Sequence, residues 1–302
     1  MPVRARPNAL GVVQAFSALG NMMAAGAGIA LGEMQQTSAI GSAWRWEFMV
    51  GALPAPLALL VFKKLKEPEQ WLKARAEKKR MGSFRDLFSD PRWRRNAICG
   101  LLLAFSGVVG LWGIGFFSYD LFRPVLEKTF RAEGLTGAAL AGKTTMWIGL
   151  TSLLQNLGGF FGVYFYTYLT AFTNRRTAFA VSFVAAMGMT AYTFWNLKNL
   201  SDVFWMVPLM GFSQLALFGG YAIYLPELFP TRLRSTGTSF CYNVGRFVAA
   251  AGPLTLGFLT SRVFAGFPDP MRYAGVTMCL VFLIGLATLP FAPETKGEPL
   301  PE

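Results

Sequence analysis

The chain has 302 residues, of which 53% are hydrophobic and 15% are charged, and its formal net charge is +12. This composition is too apolar for an ordinary soluble domain, and no RNA- or DNA-binding motif accompanies the basic charge, which argues against a nucleic-acid-binding protein. There is no histidine, and the three cysteines lack paired spacing, so no metal site or other cofactor is expected.

Apolar segments of membrane-spanning length recur along the whole sequence. One crossing of a bilayer by a helix needs about 20 consecutive, mostly apolar residues. In chain order the sequence predicts eight such helices, at 9–31, 44–62, 96–119, 145–170, 178–197, 203–225, 239–263 and 273–291. We therefore expect an all-α membrane protein with eight transmembrane helices.

Basic residues are distributed unevenly between the two sets of loops. If residues 1–8 are cytoplasmic, the loops on that side hold 19 lysines and arginines and the opposite loops hold 6. Such an excess marks the cytoplasmic side of a membrane protein. Five tryptophans then fall at outer ends of spans, as in an interfacial belt: Trp44, Trp46, Trp147, Trp195 and Trp205. We expect a multi-pass plasma (inner) membrane protein with both termini in the cytoplasm.

Two pairs of segments repeat at the same separation of 225 residues. "GNMMAAGAG" at 20–28 matches "GRFVAAAGP" at 245–253, and Pro68-Glu69 matches Pro293-Glu294. The first two spans then correspond to the last two, so the repeating unit is six helices long. Parallel six-helix repeats build the halves of one class of secondary transporter. On this interpretation the first unit lacks four helices.

The segments that follow the second and the last spans carry related motifs. "EPEQWL" at 67–72 and "PETKG" at 293–297 resemble the motifs after the sixth and twelfth helices of the major facilitator superfamily, in its sugar-porter and metabolite-symporter branch. The resemblance implies that the eight spans are equivalent to helices 5 to 12 of the twelve-helix fold. It divides the chain into the last two helices of the N-terminal half (1–62), a basic cytoplasmic linker (63–95) and a complete C-terminal half (96–302).

The stretch "ELFPTRLR" at 227–234 concentrates charge between the sixth and seventh spans. It resembles the family pattern of a glutamate and an arginine separated by six residues. The resemblance implies a cytoplasmic charge network that joins the two halves and parts during transport, formed by Glu227, Arg234, Arg175, Arg176, Glu294 and, after the second span, Glu69. The alternative is that these charges satisfy only helix dipoles and the positive-inside rule.

The loop "LTAFTNRRTAF" at 169–179 departs from the family motif that it resembles. Ala171 replaces an acidic residue and Asn174 replaces a glycine. Since asparagine tolerates a left-handed backbone, we expect the tight turn to be kept without its acidic partner.

Polar and aromatic residues within the spans are the candidates to line a substrate cavity. They are Ser106, Trp112, Tyr119, Gln155, Asn156, Tyr164, Gln214, Tyr221, Asn243 and Arg246. For Arg246 the alternatives are snorkelling or a gate contact, and for the others a hydrogen bond between helices. Gln155 and Asn156 are adjacent on a helix, so only one of them can face the cavity squarely.

The residues that mark a sugar porter are only partly present. "LLLAFSGVVG" at 101–110 keeps Ser106 and Gly107 of the sugar-porter motif but lacks its glutamines and asparagine, which favours an organic acid or other metabolite over a hexose. Asp120 and Glu33 lie at outer boundaries of spans, and the other acidic residues are interpreted as loop residues. No carboxylate for ion coupling is therefore expected at membrane depth.

The resemblance implies secondary active transport of a small polar solute by alternating access, with a proton or sodium ion as a candidate for coupling. We expect the 302-residue chain by itself not to transport, because one wall of the cavity is missing. The alternative is a non-transporting relative that binds a partner through the basic 63–95 segment. No nucleophile-base pair, phosphate-binding loop or metal cluster appears in the sequence, so it does not predict an enzyme.

Overall fold

The computed structural model describes residues 6–64, 72, 76, 82–115, 117–299 and 301. Within these residues every regular element is helical. Glu69 and 14 other residues of the predicted 63–95 linker lie outside the described residues.

The first two predicted spans form one long helix and one interrupted helix. Helix α1 is Arg6–Gln36, α2 is Ala43–Gly51 and α3 is Ala55–Lys64. A turn that contains Pro54 separates α2 from α3, because proline has no backbone N–H to donate to the preceding turn.

The third predicted span begins earlier than expected and is not a regular α-helix throughout. Helix α4 is Phe84–Ser89 and α5 is Pro91–Val108, followed by a π-helical segment, Val109–Gly115, and by α6, Ser118–Ala132. Helix α5 starts at Pro91 because the Asp90 side chain accepts a hydrogen bond from the Arg92 backbone N–H at 2.8 Å, and proline suits the first helical turn.

Three long helices follow and form the centre of the bundle. They are α7, Gly137–Phe172, α8, Arg175–Asn196, and α9, Leu200–Glu227. At 36 residues α7 is about 54 Å long, well beyond the thickness of a bilayer core.

The seventh predicted span is divided into short segments, contrary to the single helix expected at 239–263. Helices α10 (Arg234–Ser239), α11 (Gly245–Ala249) and α12 (Gly252–Phe258) alternate with π-helical segments Phe240–Val244 and Leu259–Val263. Pro253 explains one break because it cannot continue the hydrogen bonding of α11. The last predicted span contains α13, Pro270–Met278, α14, Val281–Thr288, and a final 3₁₀ turn, Leu289–Phe291.

Six helical segments of the described chain are long and apolar enough to cross a membrane. They are Asn8–Gln36, Ala43–Lys64, Pro91–Ala132, Arg175–Asn196, Leu200–Glu227 and Pro270–Phe291. The other two predicted spans are 145–170 and 239–263. The first lies within α7, and the second lies in the divided segment that runs from α10 to Val263.

Close glycine contacts hold the long helices together. A Cβ atom on Gly162 of α7 would overlap the Phe212 carbonyl oxygen of α9, and a Cβ on Gly211 of α9 would overlap the Gln155 carbonyl oxygen of α7. Helix α1 packs on α7 in the same way, since a Cβ on Gly32 would lie 2.5 Å from the Met146 nitrogen. Small residues at such positions allow backbones to approach closely.

A buried aromatic cluster lies between α7, α8, α9 and α14. Phe179 is at its centre, with ring centroids 5.3 Å from Tyr166, 5.6 Å from Tyr221 and 5.5 Å from Tyr224. Phe282 of α14 completes it through Phe183. This cluster packs beneath one end of the bundle. We call this the charged end, and it is where α7 and α9 terminate and α8 begins.

Candidate functional site

A short turn between α7 and α8 starts the charged end. The Asn174 side chain accepts a hydrogen bond from the Thr177 backbone N–H at 2.7 Å and so caps α8. Its backbone is extended, with φ of −94° and ψ of 170°, so the expected left-handed turn is wrong. Asparagine is used here for its side-chain oxygen and not for its backbone tolerance.

Arg175 and Glu227 form an ion pair that joins the start of α8 to the end of α9. The guanidinium binds both carboxylate oxygens, at 3.1 Å and 2.9 Å, and its third nitrogen donates to the Thr170 hydroxyl at 2.8 Å. The side chains are only 6% and 12% exposed. Thr295 also donates its hydroxyl hydrogen to Glu227, at 2.7 Å. Both charges are thus satisfied in the interior, where an unpaired charge is costly.

Glu294 lies on the N-terminus of α8. Its carboxylate accepts hydrogen bonds from the backbone N–H groups of Arg175 and Arg176, at 2.9 and 3.1 Å, and from those of Thr295 and Lys296. Burial by itself raises the pKa of this carboxyl, but the four backbone hydrogen bonds more than offset that and hold the pKa below its ordinary value. An ionised glutamate is also favoured by the positive end of the helix dipole.

The segment around Glu294 fastens two more elements to the charged end. The Lys296 ammonium donates to the Ala171 and Thr173 carbonyl oxygens, at 2.7 and 2.6 Å, and so caps the C-terminus of α7. The Tyr224 hydroxyl of α9 donates to the Pro293 carbonyl oxygen at 2.6 Å. The ends of α7, α8 and α9 are therefore held by one five-residue motif, residues 293–297.

The remaining members of the expected charge network have other contacts. Arg176 donates from Nε to the Ala292 carbonyl oxygen at 2.7 Å, and Arg234 donates from Nε to the Pro226 carbonyl oxygen at 3.1 Å. Glu69 lies outside the described residues. The structure therefore brings Arg175, Arg176, Glu227 and Glu294 together, and the described members of the network all belong to residues 96–302.

A cavity of about 1420 Å³ opens beside these residues. Its described walls include Asn8 of α1, Arg92 and Arg95 of α5, and Thr167 of α7. They also include five residues of the charged end: Arg175, Arg176, Glu227, Glu294 and Lys296. None of the cavity candidates within the spans is among the described residues that line it.

Arg246 lies in α11 with its guanidinium over two aromatic rings. The guanidinium carbon is 5.5 Å from the centroid of the Trp112 ring and 5.7 Å from that of Tyr242. A cation at this distance from a ring is attracted by the negative face of the ring. The arginine side chain is exposed, so its hydrogen-bond donors are accessible to a ligand. Trp112 was expected to line the cavity, whereas sequence reasoning did not select Tyr242.

Gln155, Gln214 and Tyr119 are joined in a buried chain of hydrogen bonds. Tyr119 donates to the Gln155 side-chain oxygen at 2.7 Å, Gln155 donates to Gln214 at 3.4 Å, and Gln214 donates to the Thr190 hydroxyl at 2.9 Å. Gln155 is 3% and Gln214 is 1% exposed. These contacts are hydrogen bonds between helices, the alternative to substrate contact that the sequence left open.

Ser106 and Tyr221 are also satisfied by the protein. Ser106 donates to the Val281 carbonyl oxygen at 2.8 Å and Tyr221 donates to the Leu103 carbonyl oxygen at 2.7 Å. A Cβ atom on Gly107 would overlap the Tyr221 hydroxyl, so glycine there permits this hydrogen bond between α9 and α5.

Asn156 points away from Gln155, as expected for adjacent residues on a helix. Its side-chain oxygen accepts a hydrogen bond from Asn21 of α1 at 3.0 Å, which links the first span to α7. Tyr164 and Asn243 are both exposed, and the Tyr164 ring packs 5.1 Å from that of Phe160.

Glu47 is a residue that the sequence interpretation missed. The acidic residues other than Asp120 and Glu33 were assigned to loops, but Glu47 lies in α2, inside the second predicted span. A Cβ atom on Gly28 of α1 would lie 3.3 Å from the Glu47 side-chain oxygen, so the carboxylate faces α1. The sequence could have revealed this residue, because Glu47 follows Trp44 by three residues and lies within the predicted span 44–62.

A family model described as the Major Facilitator Superfamily matches residues 1–253. The cis,cis-muconate transport protein of Acinetobacter baylyi is 26% identical over 263 residues, which cover 85% of this chain and 58% of that protein. The probable 4-methylmuconolactone transporter of Cupriavidus pinatubonensis is 26% identical over 256 residues, covering 84% and 54%.

A third relative is the sialic acid transporter NanX of Escherichia coli. It is 24% identical over 245 residues, which cover 80% of this chain and 55% of that protein. The chain therefore spans between half and two thirds of the length of each of these three relatives.

Proposed function

Because the chain belongs to the Major Facilitator Superfamily, a family of multi-pass membrane transporters, we propose that the protein moves a small organic acid across the membrane by alternating access. Two of the relatives described above are named for the transport of muconate and sialic acid, which are carboxylic acids. The names of these relatives favour transport over the alternative of a non-transporting protein that binds a partner. A proton or a sodium ion is the candidate for coupling.

The proposal includes eight crossings that are equivalent to helices 5 to 12 of the twelve-helix fold. The two crossings beyond the six apolar helical segments are α7 and residues 239–263. Residues 1–62 then belong to the N-terminal half, 63–95 to the linker and 96–302 to the C-terminal half, with both chain ends in the cytoplasm. The distribution of basic residues and the 225-residue repeat support this arrangement.

The proposal that the solute is an acid rests on Arg246. A cation within a membrane span is costly and is for that reason a candidate for a functional role, and two aromatic rings contact this one. Its planar group can bind a carboxylate with two parallel hydrogen bonds, while Trp112 and Tyr242 offer apolar surface to the rest of the solute.

The ion pair between Arg175 and Glu227 and the carboxylate of Glu294 serve as the inner gate in this proposal. Their contacts hold the ends of α7, α8 and α9 in one arrangement. A different set of contacts among the same side chains would hold these helix ends in a second arrangement. A network of this kind biases an equilibrium between two states by the difference in its contacts in each state.

Uptake of radiolabelled cis,cis-muconate tests the proposal. The coding region is expressed together with its upstream DNA, the product is sized by mass spectrometry, and the 302-residue chain is expressed in parallel. We expect saturable uptake by a longer product and none by the 302-residue chain. Uptake by a product no longer than 302 residues would contradict the proposal that four helices are missing.

Substitutions at Arg246 then test the solute class. Arg246→Gln should reduce uptake by about tenfold or more, since a charge-assisted hydrogen bond is lost, and Arg246→Lys should retain part of it. Arg262→Gln is the matched control because Arg262 is an exposed arginine in the same divided span. Equal uptake by the Arg246→Gln and Arg262→Gln variants would exclude Arg246 as the carboxylate-binding residue.

A further inference from the structure

Two guanidinium groups of the charged end are anchored to neighbouring backbone carbonyls. Arg95 of α5 donates to the Phe291 carbonyl oxygen at 3.0 Å, and Arg176 of α8 donates to the Ala292 carbonyl oxygen at 2.7 Å. Consecutive Cα atoms are about 3.8 Å apart. The two cations, which are far apart in sequence, are therefore fixed at adjacent points of the same chain segment.

Both arginines face the 1420 Å³ cavity and both are exposed within it. The described cavity wall carries five cationic and three acidic side chains. Two of the acids are already satisfied, Glu227 by Arg175 and Glu294 by four backbone N–H groups; Glu298 is the third. In the part of the chain that the structure describes, neither Arg95 nor Arg176 forms an ion pair.

The anchored groups retain hydrogen-bond donors. A guanidinium has five N–H donors in a fixed plane, and one nitrogen of each arginine is bonded to a carbonyl oxygen. Two like charges held near one another repel, and an anion between them removes that repulsion. Planar forks of this kind match the oxygens of a carboxylate or a phosphate.

We propose that Arg95 and Arg176 form an oxyanion-binding site at the charged end, which takes a carboxylate or a phosphate group. The site is distinct from the one around Arg246. Trp112, which packs on Arg246, follows Arg95 by 17 residues along the same span, so the backbones of Arg95 and Trp112 are about 25 Å apart along the helix axis.

The oxyanion has two sources, a water-borne acid that enters the cavity or the headgroup of an anionic lipid. The site does not depend on transport, so the test measures binding. The 302-residue chain is reconstituted in phosphatidylcholine nanodiscs, and its unfolding temperature Tm is measured with added sodium phosphate or cis,cis-muconate at constant ionic strength. In a second arm phosphatidylglycerol replaces part of the phosphatidylcholine.

A ligand that binds only the folded state raises Tm, and we expect a rise of about 3 °C or more at saturation. Arg95→Gln and Arg176→Gln should abolish the rise, whereas Arg95→Lys should retain part of it. Arg94→Gln is the matched control, because Arg94 is an exposed neighbour on α5 that does not line the cavity. This variant should respond as the wild type does.

A rise with phosphate or muconate in phosphatidylcholine that is lost in Arg95→Gln and Arg176→Gln supports the site and identifies a water-borne ligand, whereas a rise that both variants retain overturns it. A rise only with phosphatidylglycerol supports it and identifies a lipid phosphate. A wild-type Tm that responds to none of the three overturns the proposal. The same conclusion follows if Arg94→Gln loses as much of the response as Arg95→Gln.

Discussion

Arg175 and Glu227, 52 residues apart in sequence, face each other with two parallel hydrogen bonds of 3.1 and 2.9 Å in the interior of the charged end. Their side chains are only 6% and 12% exposed, so water solvates either partner poorly when the other is removed. The pair joins α8 to α9, and Thr170 and Thr295 complete the hydrogen bonding of both charges. The stability of this end should depend strongly on the pair remaining intact.

Glu227→Gln should therefore lower the free energy of unfolding by about 3–5 kcal/mol, because Arg175 is left as a buried charge without its counter-ion. Denaturant unfolding in detergent micelles measures the effect. Glu127→Gln is the matched control, since Glu127 pairs with Arg131 at 3.4 Å at a position where the arginine is 66% exposed. The control should change stability by less than about 1 kcal/mol. Similar losses for the two variants would contradict a buried ion pair.

The second prediction concerns acid stability and Glu294. The folded-state pKa of this carboxyl is lowered from its ordinary value of 4.5 by the backbone hydrogen bonds described above. A lowered pKa contributes stability that is fully present above the ordinary value and is lost as the pH falls through the folded-state value. Wild-type Tm should therefore fall more steeply below about pH 4.5 than the Tm of Glu294→Gln.

The control for this measurement is Glu298→Gln, which removes a charge from an exposed position on the same segment. Its Tm should follow the wild-type curve as the pH is lowered. A Glu294→Gln variant with the acid sensitivity of the wild type would show that the hydrogen bonds to this carboxylate do not stabilise the folded state.

Periodicity and charge along the chain were sufficient to predict an all-helical membrane protein and the position of most spans. The family motifs grouped Arg175, Arg176, Glu227 and Glu294, and in the structure these four residues lie near one another. Their partners in the structure were not predictable in detail, because Glu294 binds backbone N–H groups, which leave no signature in the sequence. The role of these residues as a gate stays a prediction.

The misinterpretations have identifiable physical causes. Periodicity does not reveal where a helix changes its hydrogen bonding, so the π-helical segments and the break at Pro253 were missed. A glutamine in an apolar span has the same sequence signature whether it binds a solute or a neighbouring helix. Only the three-dimensional structure showed that Gln155 and Gln214 bind each other. Glu47, in contrast, was visible in the sequence and was overlooked.

The third prediction tests the backbone contact between α7 and α9. Gly162→Ala should lower the free energy of unfolding by about 1–3 kcal/mol, because the added methyl group overlaps the Phe212 carbonyl oxygen and the helices must separate. Gly188→Ala is the matched control, since a Cβ on Gly188 of α8 would meet nothing within 4 Å. It should leave stability unchanged or raise it slightly, as alanine favours helix more than glycine does. A Gly162→Ala variant as stable as wild type would exclude the contact.

The last prediction separates a structural role of Gln214 from a role in solute binding. Gln214 is 1% exposed and bonds to Gln155 and Thr190 at once. Gln214→Leu removes both hydrogen bonds and leaves the Gln155 amide without this acceptor, so the free energy of unfolding should fall by about 1–2 kcal/mol. The measurement is denaturant unfolding in micelles, with the wild type as reference.

The opposite pattern is expected for Arg246, whose exposed side chain rests on two aromatic rings. In a transport-competent product, Arg246→Gln should raise the KM for muconate with little loss of stability, whereas Gln214→Leu should lower stability and leave KM unchanged. Each variant should therefore change one of the two quantities, KM or stability, and leave the other nearly unchanged. If Gln214→Leu raises KM at unchanged stability, the solute reaches the interior between α7 and α9, and the buried chain of hydrogen bonds belongs to the binding site.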